Sequence, residues 1–238
     1  IVFIDDNPAE REIVHGCFPE VAAPAIDRPE HYIITIDRSG FFEAAELSPE
    51  DLKRSDMYKE NAERIKLQKS FVNYHDYLVS LEMTAEIKPF IPIYHSRIAQ
   101  LTNKSNQFNL TTRRLTESEI AAAAENEEYI CRCGKLTDKF GDNGIVTVVI
   151  GRKNSDRLDL ILWLMSCRVL KRDMEQAMLD TLVWQSRESG IRKLHGYYYK
   201  TAKNAMVKDF YGAMGFQKLS EKDGDLSLIH ISEPTRRT

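Results

Sequence analysis

The chain opens on an uninterrupted apolar run, Ile1 to Ile4, that stops at two adjacent carboxylates, Asp5 and Asp6. Four consecutive apolar residues leave no polar face for water, so the run reads as a buried parallel strand. Asn7-Pro8-Ala9-Glu10 follows and supplies an N-cap, a proline at the first helical position and a carboxylate at the third. Strand, acidic turn and helix in that order belong to the α/β class, where ligands gather at the carboxyl ends of strands. The turn puts both aspartates there. A strand buried on both faces needs neighbours, so the sheet is expected to have begun upstream of Ile1.

Val21 to Ile26 and Tyr32 to Ile36 read as two further extended pieces and close a first unit over residues 1–46. Ser48-Pro49-Glu50-Asp51 is a helix start, and Leu67, Phe71, Tyr74, Leu78 and Leu81 recur at spacings of four and three. That spacing predicts a helix from Pro49 to Leu81 with at least one break. Ser96 to Asn109 carries Ile98, Leu101 and Phe108 on one side, and Thr116 with Glu119 forms a capping box. Residues 47–125 are therefore expected to be a helical linker.

From Tyr129 the periodicity changes to strands. Tyr129–Leu136 and Ile145–Ile150 are expected to pair through a tight turn at Asn143-Gly144, with a long strand from Leu158 to Leu170 after them. Met174, Ala177, Met178, Thr181, Leu182 and Gln185 mark one face of a helix that ends at Gly190. A strand Lys193–Tyr199 and a helix Lys203–Met214 complete an α/β domain over 126–225. Leu226 to Arg236 looks like a translated sequencing adapter, and 226–238 is set apart from the fold on that ground.

The 33 basic and 36 acidic residues are spread along the chain and leave a net charge of −3, which offers no footprint for nucleic acid. No apolar run approaches the roughly 20 residues of a membrane span, and a cytoplasmic location is expected. Cys17, Cys131, Cys133 and Cys167 lack the spacing of a disulfide framework or a zinc cage and read as reduced thiols.

Phe3 to Glu12 resembles the fourth motif of the haloacid-dehalogenase-like phosphatases, in the form of the FkbH-like subfamily (subfamily IIIC). Glu50-Asp51, Arg54, Met57-Tyr58, Asn61 and Arg64 are similar to the helix that follows that motif in the family. Gln100 to Arg114, QLTNKSNQFNLTTRR, is similar to its most distinctive stretch. Ser166 to Leu170 and Asn204 to Phe216 resemble its last domain, which has an N-acetyltransferase-like fold. The resemblance implies a fold in three parts: the C-terminal remnant of a Rossmann-like haloacid-dehalogenase domain, a helical linker, and an N-acetyltransferase-like α/β domain. It also implies a Mg²⁺-dependent phosphatase and acyltransferase that loads a small acyl unit, glyceryl in characterised relatives, onto an acyl carrier protein. The implied partners are a phosphorylated small-molecule substrate and the carrier's phosphopantetheine arm. The family's nucleophilic aspartate lies in a motif expected upstream of Ile1, so this chain is expected to form no aspartyl-phosphate by that route.

Each candidate residue has two readings. Asp5 and Asp6 are hard oxygen ligands suited to Mg²⁺, or a helix cap beside a solvated charge. Tyr211 falls where related acyltransferases keep a general acid, or it packs beside Gly215-Phe216. Cys167, with Arg168 beside it, is an acyl-thioester nucleophile or a buried strand cysteine. Asn204 and Arg172 are assigned to the thioester arm. Arg172 sits in the turn Lys171-Arg-Asp-Met-Glu175, where such enzymes place a glycine-rich loop around the pyrophosphate of coenzyme A. Glycines are absent there and two carboxylates would face the anion, so acyl-coenzyme A is a poor fit and a carrier arm with one phosphate a better one. Gln100, Asn103, Asn106 and Gln107 either bond that arm, with Lys104 at its phosphate, or tie the helices to their neighbours. A working N-acyltransferase in 126–225, or a silent module that docks a carrier protein, are the alternatives to the phosphatase reading.

Overall fold

A computed structural model describes residues 1–43 and 54–231, arranged as two compact units, Ile1–Asp56 and Met57–Thr238. The predicted helix start at Ser48–Asp51 lies outside the described residues, as does the end of the predicted adapter stretch, Ser232 to Arg236.

In the first unit, helix α1 (Pro8–Cys17) starts as its capping residues dictate, with the Asn7 side chain accepting from the Ala9 N–H at 3.0 Å. The expected opening strand is reduced to a parallel bridge between Val2 and Ala22, in which Phe3 N–H donates to Ala22 O at 2.9 Å and Ala22 N–H to Ile1 O at 3.2 Å. Asp5 and Asp6 follow the end of that pairing. The extended piece expected at Tyr32–Ile36 is instead helix α2 (Tyr32–Arg38), entered through a 3₁₀ turn at Pro29–His31. The run of β-branched residues argued for a strand. Ile33 and Ile34 stand exposed, however, so there is no buried sheet face to reward that propensity, and the proline-led turn decides.

In the second unit, helices α3 (Arg54–Gln68) and α4 (Tyr74–Ser80) are separated by the predicted break. Tyr77, Leu78 and Leu81 form a small core with Leu67 and Phe71 against it. The expected helical linker 47–125 is corrected at β1 (Thr84–Pro89), which pairs antiparallel with β2 (Tyr129–Asp138) and begins the sheet. Only Ile87 of β1 is half-buried. An edge strand of alternating charges gave the sequence no apolar periodicity to read.

Helices α5 (Pro92–Lys104) and α6 (Glu117–Glu125) follow β1. The remaining elements are β3 (Gly141–Asn154), β4 (Arg157–Met165), α7 (Met174–Glu188), β5 (Lys193–Tyr198), the single-turn α8 (Phe210–Ala213), β6 (Gln217–Lys222) and β7 (Asp225–Ile231). The strands form one seven-stranded sheet in the order β1-β2-β3-β4-β5-β7-β6, antiparallel throughout except for the parallel pair β4–β5. This is a mixed α/β fold. Ile98, Leu101 and Ile120 from α5 and α6 cluster with Cys131, Cys133, Val148, Ile150, Leu162 and Leu164. Met174, Met178 and Leu182 of α7 join a second cluster with Leu136, Val149, Leu158, Leu160 and Trp163. Neighbouring strand positions divide between the two clusters because successive side chains point to opposite faces. Among the described residues, no helix is long and apolar enough to cross a membrane.

Three local expectations change. The β2–β3 turn is Lys139-Phe140, where the Asp138 carboxylate accepts the Phe140 N–H at 2.9 Å, while Asn143-Gly144 lies inside β3 beside a register shift, with Gly144 at φ +67°. The strand expected to reach Leu170 stops at Met165, and Cys167–Val169 is a 3₁₀ turn. The helix expected at Lys203–Met214 is a 3₁₀ turn, Ala205–Val207, followed by α8. Residues set apart as adapter sequence also enter the fold as far as Ile231. Leu226 and Leu228 are buried at period two, and β7 pairs with β5 from Leu226 opposite Tyr198 to Ile231 opposite Lys193.

Gly151 in β3 lets the sheet close over Leu158. A Cβ there would meet the Leu158 side chain at 2.6–2.8 Å, and Leu158 is fully buried. Gly151→Ala is expected to destabilise the second unit by about 1–3 kcal/mol through overpacking. Urea unfolding followed by circular dichroism reads this, and an unchanged midpoint would count against the packing described.

Candidate functional site

The parallel pairing of β4 with β5 runs only from Arg157 opposite Lys193 to Leu160 opposite Gly196. Beyond it the facing edges need other partners, and the chain supplies them from the segment between α5 and α6. Leu110 N–H donates to Trp163 O at 3.0 Å, Met165 N–H donates to Phe108 O at 3.0 Å, and Tyr199 N–H donates to Leu110 O at 2.8 Å. Asn109 bridges Leu164 in antiparallel fashion, and the Thr111 hydroxyl donates to Ile161 O at 2.8 Å. Phe108 to Thr111 are all buried, with Leu110 at 0% exposure. A short extended peptide thus lies along the upper half of β4, and one of its carbonyls reaches the residue that follows β5.

Asn204 closes this arrangement. Fully buried, it donates to Asn109 O at 3.1 Å and to Tyr199 O at 2.9 Å, and its side-chain oxygen accepts from Thr201 N–H at 2.8 Å and from the Tyr198 hydroxyl at 3.2 Å. All its valences are used on the protein itself.

The turn before α7 has two non-glycine residues in the left-handed region, Lys171 at φ 62° and Asp173 at φ 59°. Here the backbone keeps a form that glycine adopts without cost, although the side chains are present. Arg172 between them is turned inward, its Nη1 3.2 Å from Asp138 Oδ2, and so does not face the mouth of the turn. Glu175 in the first turn of α7 folds back so that Oε1 accepts the Lys171 N–H at 3.0 Å. Its Oε2 is buried without a hydrogen-bond partner. Burial, the largest influence, raises the Glu175 pKa, and the backbone N–H groups hold it back.

Tyr211 is wholly buried among Trp163, Phe210 and Phe216, at ring separations of 6.1, 5.4 and 4.8 Å. Its hydroxyl lacks a hydrogen-bond partner of ordinary geometry, and burial drives its pKa far upward. The general acid read from the sequence is a core aromatic in this arrangement. Cys167 is exposed, not a buried strand cysteine, and the neighbouring Arg168 directs its guanidinium to Ser166 Oγ and Met57 Sδ. Cys131 and Cys133 are free and buried, with burial pushing the thiols up to about 12 and about 11.

Three of the four amides bond the protein itself, and Asn103 also donates to Leu115 O at 3.3 Å beyond its own helix. Asn103 donates to Ala99 O at 2.9 Å, Gln100 accepts from Arg97, and Arg114 bonds both Asn103 O and Asn106 Oδ1. Two polar networks lie apart from these candidates. Asp138 takes Arg64 through two bonds of 2.7 and 2.8 Å as well as Arg172. His195 is buried on β5 with Nδ1 3.2 Å from Asp159 Oδ1 and Nε2 2.6 Å from Ser227 Oγ. Tyr197 and Asn154 also donate to Asp159, and Arg157 Nε lies 3.1 Å from it as an ion pair, so the carboxylate ties β4 to β5 and, through His195 and Ser227, to β7. Burial is the main cause that lowers the His195 pKa, and burial followed by Asp159 pushes the Tyr197 hydroxyl up to about 12. An aspartate inside Leu158-Asp-Leu160 was the available signal.

In the first unit, Asp5 spends one carboxylate oxygen on the Asn7 N–H at 2.8 Å, and Asp6 Oδ2 accepts the Tyr32 hydroxyl at 2.9 Å. No group of three or more metal-ligating side chains occurs among the described residues. Mg²⁺ commonly keeps several waters and is held through one or two carboxylates, so Asp5 and Asp6 are of the right chemistry to hold it.

No family model matches the chain, and no curated protein matches it. Solved structures do. A domain from Methanocaldococcus jannaschii aligns at TM-score 0.50 with 12% identity over 63% of this chain and 100% of that one, a likeness of fold alone. The GNAT domain of S. lividans PAT aligns at 0.49, with 16% identity over 62% of this chain and 90% of that one. The ribosomal-protein-S18-alanine N-acetyltransferase from Escherichia coli aligns at 0.46, with 16% identity over 65% and 99%.

Proposed function

We propose that residues 57–231 form an acyltransferase-type domain that takes an acyl thioester on a pantetheine-like arm between β4 and β5. One observation carries the reading: the two parallel strands part after Leu160 and Gly196, and their free edges hold an extended, amide-bearing segment. Whatever replaces that segment meets the donors Met165 N–H and Tyr199 N–H, the acceptor Trp163 O, and the Asn204 amide. Those groups match the alternating amides of a pantetheine arm, which is itself an extended chain of two peptide-like units. The resemblance of Ser166–Leu170 and Asn204–Phe216 to the N-acetyltransferase-like fold points the same way. Glu175 holds the anion position at the turn before α7, which disfavours the several phosphates of coenzyme A and favours a carrier-protein arm with one. Phosphate release and glyceryl loading rest on the sequence resemblance of Phe3–Glu12 alone.

Trp163 reports on the slot because its carbonyl lines it and its ring is buried, whereas the other tryptophan, Trp184, is exposed. In a Trp184→Phe background, titration with acetyl-pantetheine at millimolar concentration is expected to change the remaining fluorescence saturably. A linear, non-saturating response would overturn the reading.

A further inference from the structure

We infer that Phe108–Thr111 is a latch: the chain keeps its own peptide in the slot, and an incoming arm binds by displacing it. The inference rests on the thioester reading above and adds to it a competitor built into the fold. The segment makes the strand-edge bonds that a bound arm would make, using Leu110 N–H, Leu110 O and Phe108 O against Trp163, Tyr199 and Met165. Asn204, the side chain assigned from sequence to the arm, is spent on Asn109 O. One site, two occupants.

Two further features fit a removable occupant better than a fixed strand. Thr112, directly after the segment, sits at φ 55°, a conformation that crowds a β-branched side chain, and its N–H is held by Asn109 Oδ1 at 2.9 Å. Release of the segment relaxes that strain. The segment is also slung between two anchored helices. Ser105 caps the end of α5, Thr116 opens α6 with a complete capping box, and Ile98, Leu101 and Ile120 stay in their own cluster, apart from Phe108 and Leu110. The connecting loop can therefore swing out while both helices stay packed.

The turn before α7 repeats the pattern on a smaller scale. Glu175, buried with one carboxylate oxygen unpartnered, takes the backbone N–H of Lys171 that an anion would otherwise take. Both ends of the slot are self-occupied.

A latch lowers apparent affinity by the fraction of molecules in which it is open. Leu110→Ala weakens the closed state and should tighten acetyl-pantetheine binding by about 30-fold. Thr111→Ala removes the bond to Ile161 O together with one buried methyl group and, as the milder variant, should tighten it about threefold or more. Circular dichroism checks that both remain folded. Hydrogen exchange supplies the second readout: saturating acetyl-pantetheine should expose the Leu110 amide of the wild-type chain while the Met165 and Tyr199 amides stay protected by the newcomer. Equal affinity in wild type and variants, with Leu110 still protected, would remove the latch and leave the thioester reading standing. Absence of binding in all three, with the Leu110 region exchanging freely in the alanine variants, would remove the thioester reading and the latch with it.

Discussion

Asp138→Ala should cost the second unit about 3–5 kcal/mol, because it removes the one carboxylate that holds two buried guanidinium groups. Asp138 has no side-chain exposure, and Arg64 and Arg172 are 3% and 8% exposed. Without it, Arg64 keeps Glu60 at 3.3 Å and the Phe140 ring at 5.7 Å, and Arg172 loses its ion pair with Asp138. Burial and then the repulsion from Arg64 already pull the Arg172 pKa down. The pH dependence has a definite sign. Burial pushes the Asp138 carboxyl up, but bonds from Arg64, the Phe140 N–H and Asn143 outweigh it, and the folded pKa lies below the ordinary aspartate value. The stabilisation is therefore complete at neutral pH and lost as pH falls through the ordinary value of about 4 and then through the lower folded one. Urea midpoints from pH 7 to pH 3 should fall more steeply in the wild-type chain than in Asp138→Ala. Parallel lines, or a neutral-pH loss below about 1 kcal/mol, would show that the two arginines find other partners.

Tyr211 yields the second large effect and separates packing from chemistry. Truncation to alanine empties a fully buried ring site and should cost about 3–5 kcal/mol, whereas Tyr211→Phe removes only a hydroxyl that faces the Tyr197 backbone without a bond of ordinary geometry and should leave stability within about 1 kcal/mol. The fit is tight on one side: a Cβ at Gly196 would lie 2.5 Å from the ring, so β5 carries a glycine where the aromatic presses against it. Thermal unfolding of both variants distinguishes the cases. A loss above 2 kcal/mol in Tyr211→Phe would mean the hydroxyl has a partner worth keeping.

The sequence carried the framework where periodicity was strong. Met174 to Gln185 marked one helix face, Thr116 and Glu119 marked a capping box, and both occur as read. Strand pairing after Tyr129 was legible in outline, though the Asp138 side chain drew the turn away from Asn143-Gly144 by capping Phe140. Edge strand β1 escaped because charged residues on an exposed strand give no alternation. Tyr32–Arg38 escaped because β-branched propensity misleads where no sheet face is buried.

The candidate site was legible only as a set of names. Arg172, Asn204 and Tyr211 were flagged as residues that meet a ligand, yet each turns inward to the protein's own groups. Gln100 to Arg114 stood out as distinctive without any sign that its centre would lie along β4. Such a contact joins positions some fifty residues apart through backbone atoms, and backbone pairing leaves no signature in side-chain pattern.

The order of the strands leaves two of them at the rim, β1 and β6, and neither invites a neighbour. Glu86 and Lys88 pair across the surface of β1, which closes at Pro89, while Lys218 and Glu221 pair on β6 beside an irregularity in its register. Charge, a proline and a bulge each discourage the addition of a further strand. Sheet extension is thereby disfavoured at both borders of the described sheet, and copies of this domain should pair there less readily than along a flat, uncharged rim.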